Sequence, residues 1–345
     1  MDFYGTIGPA CAQPETLQRM VEAGMTGIRM NLSHGPLSAH KDWLDIIHAV
    51  GIPQLLIDLQ GPELRIGTLA EPVTLVEGSS VRLGADGIPC PAALVQAAAP
   101  GQQLLLDDGT LLVKAALRER FMRMAAAPGQ QLLLDDGKLL VQVTQTLPGA
   151  LLCTVVRGGT LQSRKSIAAP GLAVHSPTLT EEDLQNLKIA KQCGVTGVML
   201  PFVRGKADIL ALRTALEQAD AADIRIFAKI ENMAGVRALP EFLHLADEIV
   251  IARGDLGNAM PLWELPRCQK QLSALCREAG VPFMVVTQML DSMCTRAVPT
   301  RAEVSDIYNA VLDGAASVML TGETAAGHYP VQAMEYLVRT ARTAM

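Results

Sequence analysis

Short apolar, β-branched runs alternate with stretches of helical period along most of this chain. The runs Tyr4–Ile7, Gly27–Leu32, Gln54–Leu59, Gly197–Phe202, Arg225–Ile230, Glu248–Ala252, Phe283–Thr287 and Ser317–Leu320 predict strands. Apolar residues spaced three and four apart predict helices after them, among them Glu15–Ala23, Glu181–Gln192, Ala302–Leu312 and Val331–Ala344. Gly24, Gly51, Gly194, Gly280 and Gly314 stand where those helices end, as left-handed C′ residues do. Thr180-Glu181-Glu182-Asp183 and Thr300-Arg301-Ala302-Glu303 have the spacing of capping boxes. Eight strand-then-helix units predict an α/β fold, a (β/α)₈ TIM barrel; a doubly wound open sheet is the competing layout.

The third strand is not followed by its helix. From about Gly61 to Gly171 the pattern turns to short strands broken by Gly, Pro and Asp-Asp-Gly. That predicts a small, mostly β domain inserted in a βα loop, on the face where barrel active sites form. The expected organisation is barrel over 1–61, insert over 62–170 and barrel again over 171–345. Within the insert, Ala97–Gly109 and Ala125–Gly137 both spell AAAPGQQLLLDDG. Two copies do not make a solenoid, which needs about three repeats or more, so they read as a tandem insertion without functional meaning.

Composition narrows the class. The chain is 49% hydrophobic, 19% charged and 3% aromatic, so the core should be aliphatic. A net charge of −6 gives no support for nucleic-acid binding. No cationic segment followed by an apolar one opens the chain, and no apolar run reaches membrane-spanning length, so a cytoplasmic protein is expected. The seven cysteines show no metal-ligand spacing and read as reduced, buried thiols.

In a barrel the chemistry lies at the C-terminal ends of strands. Those ends here are polar and mixed in charge: Arg29, Asn31, Ser33 and His34 on the second, Asp58 on the third, Lys229 and Glu231 on the fifth. Arg253-Gly254-Asp255 closes the sixth, Thr287 the seventh and Thr321 the eighth. Period-2 alternation puts Arg29, Asn31 and Ser33 on one face. Glu231 and Asp255 form a sparse carboxylate pair suited to Mg²⁺ or Mn²⁺, although such a pair also serves as salt-bridge partners of a lysine. Arg29 and Lys229 are cations of the kind phosphoryl transfer demands. Asn31, Ser33 and Asp58 offer oxygens to a monovalent cation, or caps to a helix. Arg253-Gly254-Asp255 reads as a turn with N–H groups free to meet an anion. Thr287 and Thr321 are hydroxyls on adjacent strands, able to pass a proton through water to an enolate.

These residues, in this order, resemble pyruvate kinase. The resemblance is carried by Thr6 to Ala10, Arg29 to His34, Asp58 to Arg65, Ala228 to Asn232, Ala252 to Gly257, Thr287 to Met293, Pro299 to Glu303 and Leu320 to Ala325. It implies the glycolytic transfer of a phosphoryl group from phosphoenolpyruvate to ADP, giving pyruvate and ATP. By that similarity Arg29 and Lys229 would hold the phosphoryl group, and Glu231 and Asp255 would bind Mg²⁺. Asn31, Ser33, Asp58 and the Leu59 carbonyl would hold K⁺. Gly254, Asp255, Thr287 and Arg29 would contact the substrate, with Thr287 and Thr321 assisting enolate protonation. His34, Arg65, Lys165 and Asn31 would face the nucleotide. Glu63 stands where K⁺-dependent members of the family carry Glu, which implies K⁺ activation.

The sequence also departs from the family pattern. It stops after the eighth barrel helix, at Met345. No sugar-phosphate activation through a further domain is therefore expected, and assembly is expected as a homo-oligomer through barrel helices. Ser166 and Ala168 replace a family Gly and Asn beside Lys165, and Leu59-Gln60 replaces a common Thr-Lys. A metal-dependent pyruvate-enolate lyase or aldolase, and a non-catalytic phosphoenolpyruvate- or nucleotide-binding protein, are the competing functions. Arg29 together with Lys229 and Lys165 favours phosphoryl transfer over the lyase; Ser166 and Ala168 are what favours the binding protein.

Overall fold

The computed structural model describes residues 1–61, 64–97, 103–106, 111–114, 140–163, 165, 167–168 and 177–345. Glu63, Ser166 and most of the duplicated tract lie outside the described residues. The chain divides into two compact units. One comprises Met1–Gly61, Thr178–Leu256 and Glu264–Met345; the other comprises Pro62–Pro177 and Gly257–Trp263.

The first unit is a closed barrel of eight parallel strands. They are β1 (Asp2–Thr6), β2 (Gly27–Asn31), β3 (Gln54–Asp58), β4 (Gly197–Leu200), β5 (Arg225–Ile230), β6 (Glu248–Ala252), β7 (Phe283–Val286) and β8 (Ser317–Met319). Each pairs with its neighbours in sequence, and β8 closes on β1. The helices are α1 (Pro14–Glu22), α2 (Lys41–Val50), α3 (Glu181–Ala190), α4 (Lys206–Gln218), α5 (Met233–Phe242), α6 (Leu265–Glu278), α7 (Arg301–Leu312) and α8 (Pro330–Arg342). The apolar runs of β4, β6 and β7 are buried throughout, as strands covered on both faces must be. Both capping boxes form, Thr180 with Asp183 and Thr300 with Glu303. All five helix-ending glycines take positive φ.

The barrel interior is filled by alternate residues of its strands, including Tyr4, Leu56, Met199, Phe227, Val250, Met284 and Met319. Tyr4 on β1 meets Phe227 on β5, half-way round the barrel, edge to face at 6.4 Å. A polar network lies at the N-terminal end of the strands. Glu248 accepts from Ser317 Oγ (2.5 Å) and Arg225 Nη2 (3.1 Å), and Tyr4 donates its hydroxyl to Gln54. Burial pushes the Glu248 carboxyl up from its ordinary value. This end of a barrel is where stability rather than chemistry is built.

The second unit is mostly β. Its larger sheet runs in the order Ile167–Ala168, Gln103–Leu106, Leu111–Lys114, Leu140–Leu147, Ala150–Arg157, Ser80–Gly84. Val73–Leu75 and Gly159–Leu161 form a two-stranded sheet beside it. The unit has its own apolar core, including Leu83, Leu94, Val143, Leu151 and Val155. The cysteines are free, but the expectation that all seven are buried needs correction: Cys90, Cys193 and Cys294 are partly exposed. Among the described residues no helix is long and apolar enough to cross a membrane.

Candidate active site

The strand ends β2, β3 and β5 converge on Asp58. Asp58 Oδ2 accepts from Arg29 Nε (2.9 Å) and Nη2 (2.6 Å), and Lys229 Nζ lies 3.1 Å from both Asp58 oxygens. Lys229 Nζ is also 2.9 Å from Glu231 Oε1, so the ammonium bridges two carboxylates. Burial opposes the charge on Asp58, but Lys229 and Arg29 outweigh it and hold its carboxyl below the ordinary range. Burial likewise opposes the Lys229 charge, and Asp58 with Glu231 outweighs it, so the ammonium is held protonated above the ordinary lysine range. The result is an alternating row, Arg29⁺, Asp58⁻, Lys229⁺, Glu231⁻, with both carboxylates buried and both cations nearly so.

Two further groups set the ends of this row. Arg29 Nη1 donates to Thr6 Oγ1 at 3.3 Å, and Thr6 Oγ1 donates to the Leu320 carbonyl at 2.9 Å, across the β8–β1 seam. Glu231 Oε2 accepts the Phe202 N–H at 2.8 Å. Phe202 holds φ +54, a strained value for a bulky residue, and that strain turns its N–H onto the carboxylate.

On the neighbouring strand β6, Arg253-Gly254-Asp255 is not a turn. β6 runs directly into a short helix, Arg253–Asn258, which opens on these residues. Arg253 donates through Nε (3.2 Å) and Nη2 (2.7 Å) to the Thr287 carbonyl, and through Nη1 to both Asp306 oxygens (2.8 and 2.6 Å). Thr287 and Gln288 both have positive φ, +79 and +54. The Arg253–Asp306 pair is what holds that strained segment. A Cβ on Gly254 would lie 3.1 Å from Thr287 Cγ2, so the glycine lets the threonine sit against the residue preceding Asp255. Glu323, fully buried, accepts from Leu290 N (3.1 Å), Thr321 N (2.7 Å) and Thr321 Oγ1 (3.1 Å). It ties the β7 and β8 ends together.

The other expected residues are placed as follows. Asn31 and Asp58 are register partners on β2 and β3. β2 ends at Asn31, and Ser33 lies in a 3₁₀ turn, Leu32–His34. The strand alternation expected to align Ser33 with Arg29 therefore stops two residues short of it; Ser33 is placed by its N–H, which donates to Asn31 Oδ1 at 3.2 Å. Leu59 is buried, with its N–H on the Met199 carbonyl at 3.1 Å. His34 is exposed at the end of the 3₁₀ turn. In the second unit, the Ile66 N–H donates to the Lys165 carbonyl (2.7 Å) and the Ile167 N–H to the Leu64 carbonyl (2.6 Å). Arg65 and Lys165 are thereby brought onto facing backbone segments.

A divalent cation would find hard oxygen ligands in Glu231 and Asp255, just past the ends of neighbouring strands β5 and β6. Mg²⁺ or Mn²⁺ fits that donor set, since either fills its remaining positions with water and substrate oxygens. Among the described residues no three His, Cys, Asp or Glu side chains gather as a self-sufficient cage.

The chain matches the family "Pyruvate kinase, barrel domain" over residues 2–334. The chain belongs to the pyruvate kinase family. Curated pyruvate kinases similar to it come from Sporosarcina psychrophila (34% identical over 98% of this chain), Bacillus licheniformis (36% over 96%) and Mycobacterium tuberculosis strain H37Rv (36% over 97%). The chain spans 56%, 54% and 68% of the lengths of those pyruvate kinases respectively. Within the family frame, Thr6, Phe202 and Asp306 are residues whose place at the site was not legible from strand-end chemistry, whereas Glu323 lies in the polar tip that follows the eighth strand. The partners of those three lie up to 318 positions away, and no local spacing signals such a contact.

Proposed function

We propose that the chain transfers the phosphoryl group of phosphoenolpyruvate to ADP, giving pyruvate and ATP. The observation that carries the reading is the buried row Arg29–Asp58–Lys229–Glu231. Phosphoryl transfer spreads negative charge over oxygens, and fixed cations in a dry site stabilise that charge best. The Asp58 carboxylate keeps both cations in place. Mg²⁺ held by Glu231 and Asp255 would supply Lewis-acid stabilisation of the transferring group when bound.

In the reaction an ADP β-phosphate oxygen attacks phosphorus, the enol P–O bond breaks and its electron pair stays on the enolate oxygen. The enolate carbon then takes a proton. Thr287, fixed beside Gly254, is the hydroxyl proposed to assist it, with Thr321 in relay through water. Asn31, Ser33, Asp58 and the Leu59 carbonyl are proposed for K⁺. His34 in the first unit, and Arg65 and Lys165 in the second, are proposed as nucleotide contacts on the family pattern.

An ADP/phosphoenolpyruvate assay coupled to pyruvate detection, run with and without Mg²⁺ and K⁺, tests this. The expected result is ADP-dependent pyruvate that requires Mg²⁺ and rises with K⁺. No ADP-dependent pyruvate would overturn the reading, and cleavage of a 2-oxo acid in its place would point to the lyase.

Loosening the Thr287 clamp should act on turnover. Asp306→Asn leaves Arg253 without its charged partner, and Thr287 then holds its strained geometry less well. Misplacing a reacting group by about 1 Å can cost up to roughly 10²-fold. We expect kcat to fall about tenfold with KM for phosphoenolpyruvate nearly unchanged, measured by steady-state kinetics.

A further inference from the structure

Asp183 stands at the third position of α3, where the sequence asks only that it cap the helix with Thr180. It does more than that. Fully buried, it accepts the Gln60 N–H on Oδ1 (3.0 Å), and on Oδ2 the Gly61 N–H (3.1 Å), the Thr180 N–H (2.8 Å) and the Thr180 hydroxyl (2.8 Å). Three donors crowd onto Oδ2 and one sits on Oδ1, so both oxygens of the carboxylate are engaged. Gln60 and Gly61 directly follow Asp58 and Leu59 at the end of β3. Gly61 is the last residue of the first unit before the chain leaves it, and Thr180 lies just after the return at Thr178. One side chain therefore holds both ends of the longer excursion, Pro62–Pro177.

Its surroundings are built to match. Gly61 has φ +61, and a Cβ there would lie 2.6 Å from Pro201 Cγ, so the backbone at the exit has one fixed course. Asn186, three residues along the same face of α3 and also buried, accepts the Leu37 N–H at 2.8 Å in the segment after β2. The other capping box shows the same double use: Glu303 caps Thr300 and also accepts from Ser292 N (2.7 Å) and Oγ (2.6 Å) after β7.

We propose that Asp183 is a positioning residue for the β3 end. It fixes Gln60 and Gly61, and through them Asp58 and the Leu59 carbonyl, and it locks that end to the point where the chain returns. The kinetic consequence rests on the function proposed above; the anchoring does not.

The test uses the whole chain and three variants. Asp183→Asn turns one acceptor into a donor facing N–H groups. Hydrogen exchange followed by mass spectrometry should then speed up at least about tenfold at both Gln60–Gly61 and the Thr180 turn. Loss of a group that orients ligands typically costs about 10- to 100-fold in cation affinity, so the K⁺ concentration for half-activation should rise at least about tenfold. Thr180→Val removes only the return-side hydroxyl; it should loosen the Thr180 turn and leave Gln60–Gly61 exchange and K⁺ activation as in the wild type. Asp183→Glu, with the charge displaced by one methylene, carries the test at smaller amplitude where Asp183→Asn does not fold. Wild-type exchange at Gln60–Gly61 in the Asp183 variants would overturn the proposal, as would faster exchange with unchanged K⁺ activation. A wild-type chain without kinase activity would overturn the function proposed above, and the exchange measurements would still decide the anchoring.

Discussion

Lys229→Met should lower kcat for phosphoenolpyruvate and ADP by about 10²- to 10³-fold, the scale seen when a fixed charge-stabilising donor is removed from a water-poor site. Methionine keeps the length and the packing of the stem but deletes the ammonium. Asp58 would retain Arg29, so the row would survive as a pair, while Glu231 Oε1 would lose its partner at 2.9 Å. KM for phosphoenolpyruvate should change far less than kcat, because Arg29 remains to bind ground-state oxygens and Asp255 remains to hold the Mg²⁺ that would bridge to them. Arginine at this position would restore charge but not the compact ammonium that bridges two carboxylates, and should recover little. The measurement is steady-state kinetics beside a melt showing that the barrel is folded. A variant that turns over within tenfold of wild type would sink the role given to Lys229.

The barrel itself was legible because parallel strands covered on both faces must be apolar runs, and eight of them alternate with helical period. The two capping boxes were legible for a similar reason: Thr180 and Thr300 act on residues three positions away. Distance in sequence marks where legibility ended. Asp58 read as an oxygen ligand for a monovalent cation, and nothing in that reading showed that it is also the hub of two cations whose strands lie 29 and 171 positions away. Arg253-Gly254-Asp255 read as a turn because of its glycine, whereas that glycine makes room for Thr287 and the helix starts without a break. Positive φ at Phe202 and Thr287 has no signature in residue type. Bulky and β-branched residues are poor choices for that region, and they hold it because Glu231 and Arg253 bind the turned backbone.

The same hub gives the largest expected effect on stability. Asp58→Asn keeps the shape but removes the charge that two nearly buried cations share. Breaking a buried ion pair from one side typically costs about 3–5 kcal/mol, because the surviving charge is left without compensation. Lys229 keeps Glu231, so Arg29 bears most of the loss, and the thermal midpoint of the barrel should fall by about 10 °C. The effect must depend on pH, and its sign is fixed. The Asp58 carboxyl is held below the ordinary value of 3.8, so its contribution is complete above that value and fades as pH falls through the depressed folded value. Wild type and Asp58→Asn should therefore differ most at neutral pH and converge in acid. Melts of both proteins at pH 7 and near pH 3 check this. An equal gap at the two pH values would mean that Asp58 acts through shape and hydrogen bonds, and not as the counter-charge of Arg29 and Lys229.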